Sequence, residues 1–412
     1  MKRIYRFLRA HILIIPFIFD RYHAKFIAVT GTDGKTTVSN LIYDMIKNEG
    51  LSVAVFSTIG ISYPGGFIST GLHTTTLDTY SLRKNLKKFK NYDFIIIETT
   101  SHAIDQYRIA GLKFDAILYT NITEEHLDYH KTWQRYAYAK SKLRNYLKDK
   151  GFAVINMDDK RSFEYLSDRF KDINYFTYSI YHKDSDIRAY NITDKSFDVK
   201  GLDYSISFKT KLFGEYNIQN SLLAIFVCLK FDISQDSIKN TLKNPPYING
   251  RFDIVHKYPL IVVDFAHTSN AIYNILENLS HLKKNEKNRL ITIFGAPGER
   301  DKIKRPIMGE NASLFSDIII ITADDPRFDN QSDIYMDITK NINDQLFKKD
   351  INIFQIDKRS DAIDFALKIA RKNDIIALLG KGHEKSLSIK GKEIPWSDKE
   401  YVLKKIKNNA KK

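Results

Sequence analysis

The sequence predicts an α/β protein of two units: a mainly parallel sheet built on a P-loop turn, followed by a Rossmann-like, doubly wound sheet. Three observations carry this. The apolar run at 26–29 passes through a glycine turn into Val38, Leu41, Ile42, Met45 and Ile46, spaced as one helix face. Pro245, Pro246 and Gly250 then interrupt the chain. Beyond them, 290–294, 318–322 and 375–379 read as strands that each end in a polar loop, and sheets of this kind bind ligands beyond the carboxyl ends of their strands. The expected divisions are 1–24, an apolar basic helix; 25–248, the P-loop unit; and 249–412, the second unit.

The glycine turn is the most informative stretch. In a strand–turn–helix, the backbone N–H groups of Gly31, Thr32, Asp33 and Gly34 and the positive end of the helix converge where a nucleotide's phosphates sit. Lys35 would reach the β- and γ-phosphates, Thr36 would supply a hydroxyl to Mg²⁺, and Thr37 completes the loop. The general pattern G-x-x-x-x-G-K-[ST] calls for glycine at position 29, where this chain has Val29.

The 412 residues, 43% hydrophobic, are enough for two or three cores of a globular protein. The single cysteine, Cys228, lies in an apolar run and reads as a core thiol, so no internal disulfide forms, which suits the cytoplasm. A net charge of +15 would suit nucleic acid, but the lysines are dispersed and no nucleic-acid recognition motif is present. Attraction for anionic substrates or a membrane accounts for it.

Residues 1–24 combine Ile4, Phe7, Leu8, Ile12, Leu13, Ile15, Phe17, Ile18 and Phe19 with Lys2, Arg3, Arg6 and Arg9, a basic apolar helix interrupted near Pro16. The apolar run at 12–19 is too short to span a bilayer, and no small-residue cleavage site follows it. Peripheral membrane contact through residues 1–22 and packing on the protein's own core both fit.

Further along, the strand expected at 93–97 ends in Glu98, a carboxylate well placed beside the loop to hold Mg²⁺. Arg108 can grip a carboxylate at two points. His126 and His130, one helical turn apart, could suggest zinc, but no third soft ligand accompanies them, and Mg²⁺ with a phosphate substrate is the better account. Lys140 lies in a helical stretch. The alternation at 197–208 suggests antiparallel strands around Gly201, and Asn217 and Asn220 open a helix over 222–229 that either could cap.

The loop Gly-Thr-x-Gly-Lys-Thr-Thr resembles the ATP loop of the Mur ligase family, ATP-dependent enzymes that add amino acids to the peptidoglycan precursor. Other stretches match in order: ETTSHAIDQYRIAGL, TNITEEHLDYH, RYAYAKSKL, FGEYNIQN, Arg251-Phe252-Asp253, DFAHT, GAPGERDKIKRP, TADDPRFD and GKGHE. The resemblance implies catalytic roles for Lys35, Glu98, His126 and Lys140. It implies metal ligation by Thr36, Glu98, His126 and a Lys140 carbamylated by CO₂, a reaction that needs an unprotonated amine. ATP contacts would add Asn217, Asn220, Arg251, Asp264, His267 and Lys304. Thr74, Thr75, Thr100, Ser101, Gln106 and Arg108 would meet the muramoyl peptide. The incoming amino acid would meet Arg300, Asp324, Asp325, Arg327, Gly380 and Glu384.

The family usually carries a complete N-terminal domain for the UDP part of the substrate, where about two dozen residues precede the loop here, so the likeness covers residues 25 to about 405. It implies ligation through an acyl phosphate, closure of a site shared by two units, and addition of a diamino acid. Arg327 favours meso-diaminopimelate, whose distal carboxylate it would pair with. Asp325, in place of the family's Asn, favours lysine and would partly neutralise Arg327. Two alternatives stand beside this: a ligase of the same family acting on a lipid-linked or folate-like acceptor, and a nucleotide-gated, membrane-tethered binding subunit.

Overall fold

A computed structural model describes residues 2–17, 19–71 and 75–409. Thr74, expected to meet the muramoyl peptide, lies outside them. The chain forms two compact units, one of residues up to 124 together with 130–246, the other of 125–129 together with 247 onward.

The first unit is built on β1 (Lys25–Thr30), β2 (Val53–Ser57), β3 (Gly60–Tyr63), β4 (Gly66–Ile68), β5 (Phe94–Glu98), β6 (Phe114–Tyr119), β7 (Leu147–Asn156), β8 (Tyr175–Ser179), β9 (Ile187–Tyr190), β10 (Ser196–Gly201) and β11 (Tyr204–Lys209). They pair in the order β11-β10-β9-β8-β7-β6-β1-β5-β2-β3-β4. The run from β2 through β9 by way of β1 is parallel, and the two edges are antiparallel hairpins. β1 lies between β5 and β6 and is covered on both faces, so it reads as a continuous apolar run. Ile27 and Val29 face the core of the P-loop helix (Lys35–Asn48) and the helix Glu215–Lys230, which encloses Cys228. Phe26 and Ala28 face Leu82, Trp133 and Tyr136 on the other side.

Two features departed from the periodic pattern. β8 and β9 are short, with mixed exposure, and carry too little alternation to be seen in the sequence. The hairpin turns at Leu202 and Asp203, both with positive φ (51° and 65°), so Leu202 sits in the turn and breaks the run expected at 197–208.

The helix Lys2–Ile14 and the 3₁₀ turn Ile15–Phe17 pack on the first unit. The Phe7 ring meets Tyr107 edge-on at 5.3 Å between centroids, Phe17 meets Tyr80 at 5.7 Å, and Ala10 and Phe17 are buried. Tyr5, Leu8, Ile12, Ile15 and Phe19 nevertheless remain exposed, Phe19 by 93%. Among the described residues no helix is long and apolar enough to cross a membrane.

The second unit contains β12 (Asp253–Lys257), β13 (Leu260–Asp264), β14 (Leu290–Phe294), β15 (Ile318–Ile321), β16 (Ile353–Gln355) and β17 (Ile375–Leu379), ordered β12-β13-β17-β14-β15-β16 and parallel apart from β12. The hairpin of β18 (Ser386–Ile389) and β19 (Lys392–Pro395) follows. Arg359 clamps the carboxyl ends of two sheet strands. It donates to the carbonyls of Ala323 and Leu379 at 3.1 and 2.9 Å, and pairs at two points with Asp398 at 2.7 and 2.6 Å, both side chains fully enclosed. The loops that follow β15 and β17 therefore leave from one clamped edge.

Candidate active site

Gly34, with φ of 82°, ends the turn and caps the P-loop helix without a side-chain hydrogen bond, leaving the first N–H groups of the helix to an anion. A Cβ on Gly34 would lie 2.4 Å from Asn220 Oδ1, which places Asn220 against the loop. A Cβ on Gly31 would lie 1.8 Å from Thr120 Oγ1, so the chain needs glycine at both positions. Asn121 Oδ1 accepts the Asp33 N–H at 3.0 Å, and the Thr120 hydroxyl donates to Asp33 O at 2.6 Å. Lys35 Nζ donates to the Gly31 and Thr32 carbonyls at 3.0 and 2.7 Å. Thr37 is half-buried in the first turn of the helix.

Glu98, fully buried at the end of β5, accepts from the Thr36 hydroxyl at 3.2 Å and lies 2.9 Å from the Thr58 hydroxyl. These are hard oxygen donors at the phosphate loop. Among the described residues no group of three His, Cys, Asp or Glu side chains could hold a metal unaided. The donor set thus fits Mg²⁺, which keeps waters and takes phosphate oxygens beside one or two protein ligands.

The threonine loop is tied to the same carboxylate. Thr75 Oγ1 lies 3.1 Å from Thr58 Oγ1, and the Thr76 hydroxyl donates to Glu98 O at 2.8 Å. Arg108 donates to Thr76 O at 2.7 Å and to Gln106 Oε1 at 3.2 and 2.9 Å, so these two expected acceptor contacts are brought together. Thr100 instead caps the short helix Ser101–Asp105 through the Ala103 N–H, and the Ser101 hydroxyl lies 3.0 Å from His130 Nε2. Burial, reinforced by His102, pushes the His130 pKa down to about 4, so it is a neutral partner of Ser101. Asn217 donates to Phe213 O at 2.7 Å, in the loop just before its own helix.

Lys140, 1% exposed on the helix Trp133–Ser141, donates to Gly31 O at 2.7 Å and stands 4.8 Å from the Tyr136 ring centre. A buried lysine thus touches the phosphate loop.

In the second unit, Lys304 donates to Glu125 Oε1 and to His267 O, both at 2.9 Å, and the ion pair is only 6% exposed on each side. His126 Nδ1 lies 4.0 Å from Glu125 Oε1. The half-buried His267 ring donates its Nδ1–H to the Phe265 carbonyl at 2.8 Å; desolvation and then the Lys304 cation push its pKa down to about 3. Asp264 accepts the Phe252 and Ala266 N–H groups at 2.6 and 2.8 Å and shapes the turn after β13. The Arg251 guanidinium stacks 4.7 Å from the Phe265 ring centre. Arg300 is exposed, 3.9 Å from Asp128.

Asp324, Asp325 and Glu384 gather around Lys381, a residue that sequence reasoning passed over although it lies inside the GKGHE stretch. Lys381 is fully buried and pairs with Asp325 at 2.8 Å and Glu384 at 2.5 Å. Burial opposes its charge, but Asp324, Glu384 and Asp325 together outweigh it and raise its pKa. Asp325 also accepts the Ser388 N–H at 2.9 Å. Its charge is therefore balanced by Lys381 and not by Arg327, contrary to the expectation from the sequence. The half-buried Arg327 makes no side-chain ion pair or hydrogen bond among the described residues, while its backbone N–H and carbonyl are held by Ser388 and Lys390. A Cβ on Gly380 would lie 2.3 Å from Asp324 Oδ2, so glycine there lets the carboxylate close in. Thr58 was also missed; its position just past the end of β2, among strand-end loops, was the available signal.

A phosphate loop with a carboxylate–hydroxyl pair on one α/β unit, and a charged cluster at the strand ends of a second, define a nucleotide-dependent enzyme of two units. The Mur ligase middle domain matches residues 29–228, and the Mur ligase glutamate ligase domain matches 250–382. A UDP-N-acetylmuramoyl-L-alanyl-D-glutamate–2,6-diaminopimelate ligase from Prochlorococcus marinus subsp. pastoris is 34% identical over 407 residues, covering 94% of this chain and 78% of the relative. A solved structure of a ligase of that name superposes with a TM-score of 0.61 at 28% identity, over 94% of this chain and 79% of the other. The fold is also that of E. coli FolC in complex with ADP, with a TM-score of 0.73 at 16% identity over 98% and 94% of the two chains. The chain belongs to the Mur ligase family. It is an ATP-dependent ligase that joins an acid to an amino acid.

Asp324 offers a pH test. Burial raises its pKa from 3.8 to about 6, against the pull of Lys381 and Arg359. A raised folded pKa means that its contribution to stability is full below about 3.8 and is lost as pH rises through about 6. Asp324→Asn, which cannot ionise, should therefore gain stability relative to wild type between pH 4 and pH 7. Hydrogen exchange in β17 at both pH values checks this; a constant difference between the two proteins would contradict it.

Proposed function

We propose that the enzyme adds meso-diaminopimelate to a muramoyl-L-alanyl-D-glutamate acceptor in cytoplasmic peptidoglycan synthesis. The observation that carries the choice of amino acid is the division of charge around Lys381. With Asp325 engaged by Lys381 and Ser388, Arg327 retains a full positive charge for a distal carboxylate. Three acids, Asp324, Asp325 and Glu384, surround the cation Lys381, and the excess negative charge of that cluster suits a distal ammonium. The names of the relatives agree with this reading.

The chemistry follows from the groups at the loop. An acceptor carboxylate oxygen attacks the γ-phosphorus of ATP; the bond to the bridging β–γ oxygen breaks and ADP leaves. The amine then attacks the acyl carbon, the C–O bond to phosphate breaks, and the amine gives up a proton. Lys35 and the uncapped N–H groups balance the charge of the transferring phosphoryl group. Thr36 and Glu98 would hold Mg²⁺, which supplies further positive charge when bound, with His126 assigned to the same metal by family likeness. Competition between meso-diaminopimelate and lysine tests the assignment. Wild type should prefer the former, and Arg327→Met should weaken its use by about 10- to 100-fold, as expected for losing a charged hydrogen bond. A wild-type preference for lysine, or ligation of neither, would overturn it.

Lys140 is read as carbamylated: unprotonated Nζ bonds to the carbon of CO₂ and one proton is released, leaving an anion beside Gly31. Its burial at the phosphate loop supports this. Lys140→Ala should lose about 100-fold in turnover and regain part of it with added formate or acetate, by the scale on which supporting ligands act. No rescue, together with an unmodified Lys140 in the intact protein's mass spectrum under CO₂, would count against it.

The outward face of the helix Lys2–Ile14 is read as a peripheral membrane contact, because Tyr5, Leu8 and Ile12 are exposed on a basic helix. The protein should sediment with vesicles rich in anionic lipid, and Leu8→Ser with Ile12→Ser should abolish this. Equal sedimentation of the variant would remove the reading.

A further inference from the structure

Between the helix Lys2–Ile14 and the segment bearing Gln106 and Arg108 lies a cleft of about 480 Å³, within the range of small-molecule sites. Arg6, Arg9 and Leu13 line it from the helix, and Thr70, Asp78 and Arg108 are among the residues opposite. Helical periodicity separates three faces. Phe7, Ala10 and Ile14 dock, with Phe7 on Tyr107 and Ile14 close to Gly111. Tyr5, Leu8 and Ile12 point to solvent. Arg6, Arg9 and Leu13, at spacings of three and four, turn toward the cleft.

The charge of the cleft is one-sided. Among the described residues, three arginines line it against one carboxylate, Asp78, whose Oδ1 accepts the Tyr80 and Ser81 N–H groups as a helix cap. A neutral sugar or peptide would not call for two arginines beyond Arg108. A phosphate or diphosphate would, because the guanidinium fork matches phosphate oxygens and charge-assisted bonds of this kind are strong.

We propose that this cleft binds the diphosphate of the acceptor, with Arg6 and Arg9 as its anion contacts, so that the N-terminal helix forms part of the acceptor site. The proposal rests on the muramoyl-peptide reading, since Gln106 and Arg108 are the peptide contacts from which the cleft extends. It assigns the helix a recognition role alongside any membrane contact. A diphosphate reaches the cleft on a nucleotide or on a lipid carrier, and the chemistry of the arginines is the same for both.

The test uses the full chain with three acceptors: muramoyl-L-Ala-D-Glu without phosphate, its UDP-linked form and its lipid-diphosphate-linked form. For Arg6→Gln and Arg9→Gln, the ratio of kcat/KM for the diphosphate-linked acceptor to that for the phosphate-free one should fall about tenfold per arginine, as expected for a lost charged contact. The loss should lie in KM for the acceptor and not in KM for ATP. The linked form that wild type uses better identifies the carrier. An unchanged ratio, or equal losses for all acceptors, would overturn the proposal. Calorimetric titration with inorganic pyrophosphate, with the phosphate loop already filled by a non-hydrolysable ATP analogue, provides a readout independent of turnover. Wild type should bind it and the double variant Arg6→Gln/Arg9→Gln should not, whereas equal binding by both would also overturn the proposal. If no muramoyl acceptor is ligated, the functional reading fails while the pyrophosphate titration still decides the cleft.

Discussion

A carboxylate with no solvent exposure has to be compensated, and the first unit is arranged around one. Glu98 sits at the carboxyl end of β5, beside β1, and the side chains that reach it come from three separate loops: Thr36 from the phosphate turn, Thr58 from the end of β2, and the Thr75–Thr76 segment through Thr58 and the Glu98 carbonyl. Burying a carboxylate costs several kcal/mol unless hydrogen bonds or cations stabilise it. The hydroxyls supply part of that stabilisation, and a cation held at the phosphate loop would add to it. The requirement couples the metal position to the threonine loop, and through the Thr76 carbonyl to Arg108. The residues expected at the nucleotide and at the acceptor thereby share one hydrogen-bonded framework.

The second unit meets a related constraint with the opposite sign. Lys381 is a cation without solvent exposure, and three acids hold it charged. Arg359, equally enclosed, fixes the backbone at Ala323 and Leu379 from which two of the acid-bearing loops leave. Because Asp325 is committed to Lys381, the charge pattern of this loop differs from what its sequence suggests. An aspartate in place of asparagine leaves no bare negative charge there, since Lys381 and the Ser388 N–H hold it.

The N-terminal helix gains its interest from geometry. Its docking face packs on Tyr107, next to the residues expected to hold the acceptor peptide, and this fixes which way its arginines point. A helix that only covered the core would not need a basic face turned toward a cleft.

Much was legible in the sequence. The two-unit α/β class, the phosphate turn, the strands at 290–294 and 375–379 and the placement of Glu98 followed from periodicity and from glycines that the backbone requires, because these are local properties of the chain. The short strands β8 and β9 and the turn at Leu202 were not legible, because a few half-exposed residues carry no distinct period. Thr100 and Ser101 matched a motif, yet their hydroxyls cap a helix and contact His130. The order of residues determined which chemical groups occupy the strand-end loops. Tertiary structure alone decided their pairing: Asp325 with Lys381, Lys304 with Glu125, Glu98 with Thr58. Charge balance in a buried cluster depends on which distant side chains reach it, and no local period in the sequence records that distance.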